Sequence, residues 1–187
     1  MIDNKEKFML IYGIKGERLE KFTEMAEKYQ YGIIEAHDNQ LDSQVGALIG
    51  EKGYELVESE DKAYDIEFIL FVNIKNDDLY DFIQDLKEVG LYFPNKALLT
   101  KNNIKWTLNY LFGENKLEHE VMSLYTQLRR ASAVANEILA AGQGNDKLKE
   151  ALEAADDYMH PQEFDFEELK TIYNNLAIEV NKAIMKE

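Results

Sequence analysis

The chain has no cysteine, only 2 prolines and a single tryptophan in 187 residues, and its 21 Lys and Arg are outnumbered by 36 Asp and Glu. Without cysteine there can be no disulfide, thiolate metal site or cysteine nucleophile, and nothing in the chain requires an oxidising compartment. A net charge of -15 opposes a phosphate backbone, because nucleic-acid binding draws most of its free energy from cations neutralising phosphates. Nucleic acid is therefore set aside as a partner. The longest strongly apolar run, Phe8 to Ile14, is far too short to span a bilayer. The opening MIDNKEKF carries acids where a secretory signal would be basic, so no membrane association and a cytoplasmic address are expected. What remains is a folded, helix-rich chain with 45% hydrophobic and 11% aromatic residues, long enough for one domain and an appendage.

Its organising stretch is Phe68 to Thr100, which reads strand, helix, strand: FILFVNI, then NDDLYDFIQDLKEVG, then NKALLT. Sliding the chain against itself by sixty residues recovers a second copy upstream, because Phe8, Leu10, Ile14, Lys15, Leu19 and Phe22 fall on Phe68, Leu70, Ile74, Lys75, Leu79 and Phe82. Matches at strand positions and along one helical face, with no gap, point to a duplicated βαβ unit.

In chain order, the first unit is a strand over Phe8 to Ile14, a helix from about Glu17 to Tyr29 and a strand over Tyr31 to Ala36. Asp42 or Ser43 can cap a brief helix ending near Ile49. The acid-rich connection from Gly50 to Asp65 has room for one edge strand at Tyr54 to Val57. In the second unit Asn76 or Asp77 is the expected N-cap, Leu79, Phe82, Ile83, Leu86 and Val89 form the inward stripe, and Gly90 ends the helix. Pro94 keeps Phe93 extended before the last strand, Lys96 to Thr100. Two such units in one sheet, both helices on one face, describe a ferredoxin-like sandwich. A flavodoxin-like sheet would need further crossover helices and strands.

After Thr100 the alternation stops. Asn102 or Asn103 can cap a helix carrying Ile104, Leu108, Leu111 and Phe112, with Gly113 as a bend. Leu117, Val121, Leu124, Leu128, Ala131, Ala135 and Ile138 then recur at spacings of four and three, the seam of a bundle helix. Leu148, Leu152, Ala155 and Met159 line a shorter helix, stopped at His160-Pro161. Asp165 with Glu168 announces a last helix through Leu169, Ile172, Leu176, Val180 and Ala183. The fold class is thus α+β: residues 1–101 form the ferredoxin-like domain and residues 102–187 an antiparallel helical bundle or hairpin.

The run KALLTKNNIKWTLNYLFGENKLEHEVM, with the spacing T-x-x-N-x-x-W at Thr100, Asn103 and Trp106 followed by Glu118-His119, resembles an uncharacterised bacterial family, domain of unknown function 3783. The resemblance covers about Glu67 to Met122. It implies no activity, so no catalytic residue is carried over.

Each candidate for chemistry has a plain alternative. Gly13-x-x-Gly16 before a helix can cradle a phosphate with backbone N–H groups, but it lacks the third glycine and the Lys-Ser/Thr of nucleotide loops and reads more simply as a turn. Thr100, Asn103 and Trp106 can line a pocket; Trp106 as a largely buried ring that docks the following helix is the simpler reading. Glu114, Glu118, His119 and Glu120 include residues about 100° apart on one helix, which cannot converge on one ion unaided. Asp157-x-x-His160 is half of a di-iron motif without its second half. No metal and no cofactor are expected.

In a ferredoxin-like sheet the first and third strands are parallel neighbours, so the two βα turns emerge together. Lys15 with Gly16, and Lys75 with Asn76, would then form one positive spot beside two helix N-termini, suited to a phosphate or carboxylate of a small ligand. Glu17 and Asp77 would offset part of that charge. No nucleophile, base and orienting group can be assembled from the sequence. The expected function is therefore a non-enzymatic module that binds a small anionic ligand or another protein. The alternative is a small enzyme with an anion site at that end of the sheet. A homodimer or a protein partner is expected through the tail or a sheet edge.

Overall fold

The computed structural model describes residues 6–60, 63–159 and 164–185. It is a mixed α+β structure in two compact units, with the boundary between Lys116 and Leu117.

The first unit contains β1 (Phe8–Tyr12), α1 (Gly16–Lys28), β2 (Gly32–Ala36), α2 (Val45–Leu48), β3 (Phe68–Val72), α3 (Asn76–Glu88) and β4 (Asn95–Leu98). The strands form one sheet in the order β2-β1-β3-β4. Within each half the helix carries the chain over to a parallel strand, β1 with β2 and β3 with β4. Between the halves, β1 and β3 run antiparallel. The ferredoxin-like arrangement, with its parallel central pair, is therefore not the one adopted. Periodicity within a βαβ unit fixes that unit's internal geometry, but not the end from which the next unit enters the sheet.

The offset of sixty recurs in the element bounds, since β1 and β3, and likewise α1 and α3, start and stop sixty residues apart. The central register is symmetric about Leu10 facing Leu70, with Phe8 opposite Val72 and Tyr12 opposite Phe68. A local twofold axis thus relates the halves. It also relates two ion pairs. Arg18 donates through Nε and Nη2 to the two carboxylate oxygens of Glu67, both at 2.7 Å. At the equivalent positions Lys7 pairs with Asp78. The sign at each position is exchanged between the halves.

β1 and β3 are buried along their whole length because both faces of the sheet are covered. Met9, Ile11, Ile69 and Phe71 pack under α1 and α3, whose Phe22 and Phe82 rings meet edge to face at 6.0 Å. Both helices thus lie on one face, as the stripes predict. Burying each of these phenylalanines contributes up to about 3 kcal/mol. Phe8, Leu10, Tyr12, Phe68, Leu70 and Val72 point the other way, into a second core closed by Leu41, Val45, Ile49, Leu108, Leu111 and Phe112. The residues after Thr100 therefore belong to the sheet as far as Phe112, whereas the sequence pattern suggests a division after residue 101.

Gly13 turns at φ +73, and a Cβ there would lie 2.0 Å from the Ile66 carbonyl oxygen. The equivalent Asn73, at φ 57, instead sends its side-chain amide to the Glu6 carbonyl, 3.2 Å away. The stretch Tyr54 to Val57 is not a strand. It is held by side chains: the Ser43 hydroxyl both donates to Val57 O and accepts from Val57 N–H, each at 2.9 Å.

The second unit contains the remainder of α4 (Leu108–Ala140), α5 (Asp146–Tyr158) and α6 (Phe166–Ile184). Gly113 does not break α4, which is continuous over 33 residues. Leu128, Ala135, Ile138, Leu148, Leu152, Ala155, Leu169, Leu176 and Val180 share one core, as the seam predicts. Asp165 caps α6 by accepting from Glu167 N–H at 2.8 Å and Glu168 N–H at 3.0 Å. Its own N–H donates to the Tyr158 hydroxyl at 3.0 Å, the place a capping-box glutamate would occupy. Among the described residues no helix is long and apolar enough to cross a membrane.

Candidate functional site

The antiparallel β1–β3 pairing sends the two βα turns to opposite ends of the sheet. Lys15 and Lys75 are both exposed N-cap residues, with Gly16 and Asn76 as the first residues of α1 and α3. Lys15 and Gly16 are therefore not brought together with Lys75 and Asn76, and the joint positive spot does not form. The charge near Lys75 is also partly met, since the Asp78 carboxyl is held below its usual range, chiefly by its hydrogen bond from Lys7 and in small part by Lys75.

The T-x-x-N-x-x-W spacing resolves into architecture. Asn103 is buried, accepts from Thr100 N–H at 2.7 Å and donates to Leu98 O at 2.8 Å. The Thr100 hydroxyl oxygen accepts from Asn102 and Asn103 N–H at 3.3 and 3.1 Å. These bonds fold the end of β4 into a single tight turn, and Trp106 O then accepts from Val45 N–H at 2.8 Å. Trp106 itself is half-buried, not largely buried, and its ring meets Tyr110 edge to face at 5.0 Å. Its apolar contacts are with the sheet's second core.

Glu118, His119 and Glu120 are exposed on α4. Among the described residues no group of three or more His, Asp or Glu side chains is placed to hold a metal ion. His160 of the Asp157-x-x-His160 pattern lies outside the described residues.

A different pair of lysines shares a site. Between α3 and β4 lies a cleft of about 230 Å³ whose walls include Ile69, Phe71, Leu86, Leu91 and Phe93, with Lys87 and Lys96 as its charged members. No carboxylate is among the described residues that line it, on a chain with 36 acids. The Lys96 Nζ donates to Phe93 O at 3.1 Å, and lies 6.0 Å from the centre of the Tyr92 ring. Burial, and then the neighbouring Lys87 charge, hold the Lys96 ammonium below its ordinary pKa.

The local twofold shows how unusual Lys96 is. Lys96 pairs with Ile69 in β4 as Ile33 pairs with Met9 in β2. Ile33 packs into the core beneath α1 and α3, so Lys96 occupies a position that the other half gives to an apolar residue. The second half is also longer: Phe8 pairs with Gly32 24 residues on, but Phe68 pairs with Asn95 27 residues on. An ungapped comparison therefore sets Lys96 against Ala36 and hides the substitution. Only an alignment with a three-residue insertion around Tyr92-Phe93-Pro94 exposes it.

Two other hollows are less specific. A more open groove of about 640 Å³ beside β2 includes Lys7 and Tyr29, but Lys7 is committed to Asp78. On the second unit a groove of about 310 Å³ mixes Lys147 with Glu150 and Glu179.

Residues 67–122 match the family model described as Domain of unknown function (DUF3783). The matched segment takes in β3, α3, β4, the Thr100-Asn103-Trp106 turn and both lysines of the cleft. No curated protein and no solved structure matches the chain.

Proposed function

We propose that the protein is a non-enzymatic binding module whose sheet unit takes a small anion with an apolar body into the α3–β4 cleft. The observation that carries this reading is a cleft with Ile69, Phe71, Leu86 and Phe93 in its walls, a half-buried Lys96, an exposed Lys87 at its edge and no carboxylate among the described residues that line it, in a strongly acidic chain. Drawing Lys96 partly out of water is costly unless a counter-charge meets it, and an incoming carboxylate supplies that charge while its apolar portion covers Leu86 and Phe93. The cavity is smaller than the roughly 300–1,000 Å³ of ordinary ligand sites, which selects a compact ligand. The equivalence of the two halves supports descent from one duplicated βαβ unit. Titrating 4-methylpentanoate into isotope-labelled protein tests the reading. Shifts should concentrate at Ile69, Leu86, Phe93 and Lys96 and vanish in Lys96→Leu, and an unchanged spectrum at millimolar ligand refutes it.

Association with another protein, or with a second copy through the tail or a sheet edge, also belongs to this proposal. Its support is that the outer edges of β2 and β4 have no strand partner among the described residues. A single monomeric species in sedimentation at tens of micromolar would remove the homodimer.

A further inference from the structure

Lys96 is more than a counter-ion. Its amine is the only nitrogen nucleophile held by a strand among the residues that line the cleft, whereas Lys87 projects from the helix on the other wall. A ligand that meets the two lysines in different ways presents an anionic group to one and, to the other, a group with which a nitrogen can bond. The apolar wall formed by Ile69, Phe71, Leu86 and Phe93 requires that the rest of it be hydrocarbon. A 2-oxo acid with an aliphatic or aromatic side chain carries all three features within the few atoms that about 230 Å³ admits.

We propose that the cleft binds 2-oxo acids and that Lys96 condenses with their carbonyl carbon to form an imine, while Lys87 faces the carboxylate. This rests on the cleft being a ligand site and adds the ligand class and the bond. The lone pair of the neutral Lys96 amine attacks C2 of the acid, and the C2–O π electrons move to oxygen, which takes a proton from solvent at the cleft mouth. The nitrogen gives up one proton to solvent to form the neutral carbinolamine, the hydroxyl takes a second proton and leaves as water, and loss of the remaining nitrogen proton leaves C2 doubly bonded to Nζ. No oxidant or reductant is needed. Partial burial against Ile69 and Phe93, beside the Lys87 charge, is the environment that activates a lysine for such chemistry, by raising the share of free amine tenfold for each unit by which its pKa falls. The Phe93 carbonyl that accepts from Nζ, and the Asn115 amide that donates to the Lys96 carbonyl at 3.2 Å, hold the residue in place at side chain and backbone.

The test uses the full chain, 4-methyl-2-oxopentanoate and cyanoborohydride, which reduces the imine to a stable secondary amine. The expected product carries one added mass equal to that of the acid less one oxygen atom, and peptide mapping should place it on Lys96 at least about tenfold above any other lysine. Excess 4-methylpentanoate, which lacks the carbonyl, should suppress it, and Lys96→Arg should lack it. Because mapping is done on the wild-type protein, the answer does not depend on the variant folding. Adducts spread evenly over the lysines overturn the inference. Binding of 4-methylpentanoate without any Lys96 adduct also overturns it and leaves the ligand cleft standing, whereas failure of both acids to bind removes the cleft reading as well.

Discussion

Replacing Asn103 by alanine removes both halves of the bond that joins β4 to the turn after it. Thr100 N–H loses its acceptor at 2.7 Å and Leu98 O loses its donor at 2.8 Å. A backbone group left unpaired and buried costs about 1–3 kcal/mol. Water can approach here, because Thr100 is exposed and Leu98 is 40% exposed. The expected loss therefore sits low in the summed range, at about 2 kcal/mol. Asn103→Asp sharpens the test. The protonated carboxyl can still accept from Thr100 and donate to Leu98, so below an unfolded-state pKa near 3.9 the variant should approach wild type. Once ionised it can no longer donate, and a carboxylate oxygen faces the Leu98 carbonyl. Its folded-state pKa is thus raised, and stability relative to wild type falls as pH rises from about 4 towards 7. Urea midpoints read from the single Trp106, which lies in the same unit, measure both variants at pH 4 and pH 7. A loss under about 0.5 kcal/mol for the alanine variant, or an aspartate variant indifferent to pH, would refute the structural account of the motif.

Gly13→Ala and Gly90→Ala form a matched pair: both glycines have positive φ, at +73 and +78, but a Cβ at Gly13 meets the Ile66 carbonyl and one at Gly90 meets nothing. Thermal unfolding should show about 1 kcal/mol lost at Gly90 and clearly more at Gly13, and equal losses would count against the close approach. The Tyr12 hydroxyl, pushed up to about 12 by burial first and by its bond to Asp38 second, exceeds the unfolded value near 10. Its contribution is therefore complete below pH 10 and lost between about pH 10 and pH 12, so the decline in urea midpoint across that interval should be shallower in Tyr12→Phe.

The sequence was legible wherever a local period carried the information. The bundle seam from Val121 to Ile138, the stripe of Phe82 and Leu86, and the sixty-residue offset all survive in the cores and element bounds. Helix starts are less legible: Lys75 occupies the N-cap of α3 without any side-chain bond, where the preference for Asn or Asp points to Asn76 or Asp77. The mutual direction of β1 and β3 was not legible, since it depends on the long connection from Ile49 to Phe68 and not on any period. That one unknown misplaced the candidate site: with parallel strands Lys15 and Lys75 converge, and with antiparallel strands they part. Lys96 is not legible as a cleft residue, because a lysine at a strand start reads as solvent-facing until its partner Ile69 is known. The apolar area of Trp106 points to a buried ring; the ring is half-buried against the second core, and the backbone carbonyl adds a bond from Val45 that no side-chain pattern signals.

The exchanged ion pairs have a consequence for how molecules treat their neighbours. Two halves cut to one pattern could mate with any other half, and a crowded solution would then offer each molecule a choice of wrong companions. Were one first half to dock on another in the same geometry, Lys7 would meet Arg18; two second halves would set Glu67 against Asp78. Only the unlike combination brings Lys7 to Asp78 and Arg18 to Glu67. The charges thus favour the unlike combination: the two pieces share a shape, yet carry opposite signs at the positions where they meet.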